Sequence, residues 1–135
     1  MASLSDGTYH ISVDDQMFIT RRERFDLALA SESSETAKLE VRRTESGTYT
    51  ITLDSTPLHL SFVGEPEVFK RVVLGPEPRE WNISAGPGEG TFTIAAIGSS
   101  ERLTLGIHPA LINPPMIGLS PDFGEDRGWN FHEAK

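Results

Sequence analysis

The sequence predicts an all-β domain of twelve strands in three similar units, and three observations predict it. A five-residue phrase occurs as Gly7-Thr8-Tyr9-His10-Ile11, Gly47-Thr48-Tyr49-Thr50-Ile51 and Gly90-Thr91-Phe92-Thr93-Ile94, at intervals of 40 and 43 residues. A second phrase, Trp81-Asn82-Ile83 and Trp129-Asn130-Phe131, recurs 48 residues apart, and Leu39 holds the equivalent place in the first unit. Between these landmarks, apolar and polar residues alternate in short runs bounded by turn compositions, which is the period of half-buried strands. Repetition at near-equal spacing means one structural unit used three times.

Each unit opens on a glycine turn feeding a strand rich in threonine, aromatic and β-branched residues. A second strand follows a turn: Asp14-Asp15-Gln16 leads to 17–20, Asp54-Ser55-Thr56-Pro57 to 58–62, and Gly98-Ser99-Ser100 to 103–107. Third strands are expected at 25–29, 69–74 and 116–119, and fourth strands at 38–42, 81–83 and 129–131. Residues 31–37 read as a polar loop, and helix is nearly absent. Short turns at Thr44-Glu45-Ser46 and Gly86-Pro87-Gly88-Glu89 join one unit to the next.

Three four-stranded units, each too small to bury its own face, close on one another into a barrel capped by hairpins. That arrangement is the β-trefoil, here one domain over residues 1–135 with units at about 5–44, 45–87 and 88–135. A three-bladed propeller lies below the usual range of about 4–8 blades. A sandwich does not predict a threefold phrase. Tyr9, Tyr49, Phe92, Trp81 and Trp129 are expected in core layers rather than in a ligand site.

Composition narrows the partners. At 135 residues the chain can bury one real core. A net charge of −8 opposes nucleic acid, which needs a basic face, and anionic membranes. With no cysteine, the fold owes nothing to disulfides and tolerates a reducing compartment. The start, Met1-Ala2-Ser3-Leu4-Ser5-Asp6, has neither a basic nor an apolar signal region, and no apolar run approaches the ~20 residues of a membrane span. A cytoplasmic monomer is the expectation, and the sequon Asn82-Ile83-Ser84 would matter only in the secretory route.

The search for chemistry is mostly negative, so the chain is not expected to be an enzyme. Without cysteine there is no thiol nucleophile. His10, His59, His108 and His132 have no metal-ligand spacing, and His10, next to a core aromatic in a strand, is expected to face solvent. The acidic pairs Asp14-Asp15 and Glu125-Asp126 sit in turns rather than across a cleft. Residues 122–126 lack the alternating oxygens of a calcium loop. Gly86, Gly88 and Gly90 precede no helix, so they form a turn and not a phosphate cradle. No motif calls for a cofactor or a metal.

Three loops stand out. One reads Thr20-Arg21-Arg22-Glu23-Arg24-Phe25 and holds three of the twelve basic residues within four positions. The others are Pro109-Ala110-Leu111-Ile112-Asn113-Pro114-Pro115 and Pro121-Asp122-Phe123-Gly124-Glu125-Asp126-Arg127-Gly128. Read blandly, the first is a solvated loop with weak local ion pairs, and the prolines stiffen long connections. Read sharply, a rigid loop with an exposed arginine suits a trypsin-like pocket, whose base carries an aspartate that pairs with the planar guanidinium. A loop already held in a substrate-like shape binds more tightly because less order must be imposed.

The chain resembles the small fungal β-trefoil serine protease inhibitors of the cospin and cnispin type, the mycospins. The residues that carry the resemblance are Ser3-Leu4-Ser5-Asp6-Gly7-Thr8-Tyr9, Leu74-Gly75-Pro76-Glu77-Pro78-Arg79-Glu80-Trp81-Asn82-Ile83 and Arg127-Gly128-Trp129-Asn130-Phe131. The resemblance implies reversible inhibition of a trypsin-like serine protease through one surface loop. In one member an arginine between the second and third strands enters the protease pocket, and Arg21, Arg22 and Arg24 are the matching positions. Arg22 and Arg24 lead, with Glu23 or Phe25 following the bond and Arg22 favoured because Phe25 is expected to begin the third strand. In another member a lysine between the last two strands serves, and Arg127 matches that loop.

Two further readings stay open. A carbohydrate-binding trefoil commonly places Gln-x-Trp in each unit with an aromatic beside a carboxylate. Here Glu80-Trp81-Asn82 and Gly128-Trp129-Asn130 lack the glutamine. A cysteine protease inhibitor would act through other loops and leave the arginines incidental.

Overall fold

The computed structural model describes residues 4–14, 16–34, 36–98, 101–110, 114–121, 123 and 127–134. Its strands are β1 (Gly7–Val13), β2 (Met17–Arg21), β3 (Leu27–Ala30), β4 (Leu39–Arg43), β5 (Tyr49–Leu53), β6 (His59–Ser61), β7 (Val73–Gly75), β8 (Glu80–Ala85), β9 (Phe92–Ala96), β10 (Thr104–Ile107), β11 (Ile117–Ser120) and β12 (Trp129–Glu133). The first and fourth strands of the three units pair in a closed antiparallel ring: β1 with β4, β4 with β5, β5 with β8, β8 with β9, β9 with β12, and β12 back to β1. Closure removes the exposed edges that would otherwise invite pairing with another chain. The second and third strands form the hairpins β2–β3, β6–β7 and β10–β11. The fold is a β-trefoil.

The three hairpins are tied to one another. Ala28 bridges Met116, Arg71 bridges Gly118, and the Leu74 amide donates to the Phe25 carbonyl at 2.8 Å. Backbone groups that would be orphaned at the barrel mouth are satisfied by the neighbouring unit.

Threefold repetition persists in the core. Trp81 and Trp129 are fully buried, and each indole N–H donates to a second-strand carbonyl, Trp81 to Leu60 at 3.1 Å and Trp129 to Leu105 at 2.9 Å. Leu39, also fully buried, takes the third place without a polar group to satisfy. Tyr9 and Tyr49 are buried and send their hydroxyls to the Ser5 and Leu4 carbonyls, while Phe92 packs on the core from its half-buried rim. Burial, and after it the negative charges of Glu133 and Asp6, hold the Tyr9 phenol above its ordinary pKa of 10.0.

The repeated glycine does different work in different copies. Gly47 and Gly90 have φ of +89° and +79°, where a side chain would be strained, whereas Gly7 lies inside β1 in ordinary strand geometry.

Two strands start later than propensity suggests. Phe25 and Asp26 lie outside β3, because the Asp26 carbonyl accepts the Arg22 amide at 2.9 Å and closes a turn first. In the second unit, residues 69–72 precede β7. Phe69 has φ +63°, and its amide donates to the Leu119 carbonyl at 2.7 Å rather than to the neighbouring strand. His10 does not project freely into solvent. It is half-buried opposite His132, and its Nδ1 is buried with no hydrogen-bond partner among the described residues.

Candidate functional site

The β2–β3 connection is a tight turn. Past the Arg22–Asp26 backbone bond, Glu23, Arg24 and Phe25 form its tip. Arg21 folds over the turn, and its Nε and Nη2 donate to the Arg24 carbonyl at 3.2 and 2.9 Å. Arg22, Glu23 and Arg24 are exposed, and with Arg21 they surround a shallow hollow. At the base, Asp26 pairs with Arg71 at 3.2 Å. The four basic-loop residues singled out from the sequence therefore lie together, but Arg21 is the brace and Arg22 and Arg24 are the presented cations.

Arg127 is placed differently. Its Nη2 donates to Asp14 Oδ2 at 2.8 Å, and its guanidinium lies 5.3 Å from the centroid of the Phe123 ring. It joins the last loop to the first hairpin turn. Asp15, Ser99, Ser100, residues 111–113, Asp122 and residues 124–126 lie outside the described residues, so the pair Glu125-Asp126 lies wholly outside them, and the pair Asp14-Asp15 and both proline-rich loops are described only in part. Among the described residues, no group of three or more His, Asp or Glu side chains could hold a metal.

Sequence reasoning missed the second concave feature. A groove of about 460 Å³ runs between the tip of the β2–β3 turn and the segments flanking β7. Phe25, 49% exposed, lines it together with Val63, Leu74, Pro76 and Glu77. Pro78 and Arg79 complete the lining. Arg79 is fixed from three directions: Nε donates to Ser61 Oγ at 3.3 Å, Nη2 donates to the Phe62 carbonyl at 3.1 Å, and the guanidinium stacks 3.9 Å above the Phe62 ring. Phe62 is buried and meets Trp81 edge-on at 5.7 Å, so the groove floor is continuous with the core. The one sequence signal was the proline-flanked run Gly75-Pro76-Glu77-Pro78-Arg79. It stiffens the rim but does not disclose that Phe25, some fifty positions earlier, faces it.

Such a groove can do two things chemically. An exposed aromatic face covers C–H surface, and a carboxylate with nearby backbone groups accepts and donates hydrogen bonds. Its size falls within the usual range for small-ligand sites.

With this geometry the chain joins the β-trefoil proteins. No family model matches it, and no curated protein matches it. Among solved structures, a Macrolepiota procera ricin B-like lectin in complex with lactose superposes with a TM-score of 0.81 at 17% identity, covering 98% of this chain and 100% of that one. The Rhizoctonia solani agglutinin gives a TM-score of 0.75 at 16% identity, covering 99% of each chain. At such identities the likeness establishes the fold and leaves the ligand open.

Proposed function

We propose that the protein is a non-enzymatic carbohydrate-binding β-trefoil whose binding site is the groove beside Phe25. The observation that carries this reading is the half-exposed Phe25 ring set against Glu77 and the immobilised Arg79 in one concavity. A pyranose offers an apolar C–H face and a rim of hydroxyls, and the groove offers the complement of each. The likeness to a lectin bound to lactose supports the reading without supplying its site. Screening wild type and Phe25→Ala on a glycan array tests it. Glycans retained by wild type and lost by the variant are expected, and an array with nothing retained at micromolar protein overturns it.

A second reading, inhibition of a trypsin-like serine protease, has its own observation: a braced turn displaying Arg22 and Arg24. It ranks lower because a reactive segment must lie extended across the protease, whereas this turn reverses within a few residues. The Arg24 carbonyl, which would face the oxyanion donors, is already bonded to Arg21. Arg127 ranks lower still, since its partner Asp14 must be released first. Titrating active-site-calibrated trypsin decides it: stoichiometric loss of activity, abolished in Arg22→Ala or Arg24→Ala, supports the reading, and full activity at micromolar excess ends it.

A further inference from the structure

We infer that the groove is one half of a two-part surface that takes an oligosaccharide spanning more than one ring, an inference that rests on the carbohydrate reading above. Pro78 and Arg79 line the groove and also line a second concavity of about 730 Å³. The two hollows share these two residues as a common ridge. Arg79 is held by the Phe62 ring and by carbonyls of the 62–64 segment, so the ridge is formed before any ligand arrives.

The second hollow is lined by Thr44, Ser46, Thr48, Glu80 and Ile97. One wall is a chain of hydroxyls: Thr44 Oγ1 lies 2.7 Å from Thr48 Oγ1 and 3.1 Å from Ser46 Oγ. Ser46 Oγ donates to Glu80 Oε1 at 3.4 Å, and Thr48 Oγ1 donates to the same oxygen. The β4–β5 turn, closed by the Thr44 amide on the Thr48 carbonyl at 2.8 Å, gathers the hydroxyls. The pairing of Thr50 with Glu80 brings the carboxylate to them. Ile97, 39% exposed just past β9, also lines the hollow.

This division fits a sugar ring. Hydroxyls donate and accept, so they exchange bonds with ligand hydroxyls in either sense, and the carboxylate accepts. Ile97 covers the apolar face. A single ring fills one hollow, whereas a chain crossing the ridge engages both, and linked contacts raise affinity beyond either alone.

Calorimetric titration with gluco-, galacto- and N-acetylglucosamino-oligosaccharides of one to four units tests the inference. For wild type, affinity is expected to rise about tenfold or more from one unit to three in the series bound. Thr48→Val and, separately, the surface change Ile97→Ala should flatten that rise, with thermal melts confirming that each variant is folded. If wild type binds sugar with no dependence on length, or both variants keep the full rise, the second hollow is not a subsite and the Phe25 groove stands by itself. If wild type binds no member of any series while the array above retains other glycans, the two-part inference falls. If the array is blank too, both readings fall.

Discussion

Arg21 donates two hydrogen bonds from its guanidinium to the carbonyl of Arg24, three residues ahead, at 3.2 and 2.9 Å. A basic residue thereby braces the turn that displays two others, and the roles of four neighbouring residues in one loop diverge. Removing the brace should change local order more than global stability, because the turn is exposed and such surface contacts contribute little. Arg21→Ala should therefore shift the melting temperature by no more than about 2 °C. Trypsin should cut the variant after Arg22 or Arg24 several-fold faster than wild type, as read by mass spectrometry of timed digests. Equal cutting rates would show that the backbone bond from Arg22 to Asp26 suffices to hold the turn.

Arg79 links the groove to the core through Phe62 and Trp81. Arg79→Ala removes a stacked cation and hydrogen bonds to Ser61 and Phe62, for a loss of about 1–2 kcal/mol. Arg79→Lys keeps the charge but loses the planar fork, and should restore only part of it. Urea denaturation of the three proteins measures this, and the same variants should lose glycan binding under the carbohydrate reading.

The two tryptophans should behave as a matched pair. Trp81→Phe and Trp129→Phe each leave a second-strand carbonyl without its donor and a gap where the indole stood. A loss of about 2–4 kcal/mol is expected for each. A large difference between them in denaturant titrations would mean that the likeness of their two bonds does not extend to their surroundings.

Stability should fall at alkaline pH because of Tyr9. Its phenol is raised above 10.0 in the folded chain, chiefly by burial, so between pH 10 and the higher folded value the native state holds a proton that the unfolded chain has released. The contribution is complete below pH 10 and is lost as pH climbs through the folded value. Melting curves from pH 8 to 12 should show this decline, and Tyr9→Phe should lessen it. An identical alkaline profile in the variant would assign the decline to other groups.

What the sequence determined by itself is the repeated frame. Phrase spacing, alternation and turn residues are local signals, and they placed all twelve strands to within a few residues, because strand periodicity and turn chemistry act over short stretches. They failed at Phe25 and Phe69, both aromatic residues of good strand propensity, where backbone bonds made elsewhere decide: Arg22 to Asp26 across the turn, and Phe69 to Leu119 in another unit. The arginine loop was legible as a cluster, but propensity says nothing of the Arg21 brace or of the Asp14 partner of Arg127. The groove was not legible. It exists only because barrel closure and the Leu74–Phe25 bond bring the first unit against the 61–64 and 73–79 segments of the second. No local pattern records which turn will face which, since that is settled by ring closure and by the need to satisfy buried backbone groups between units.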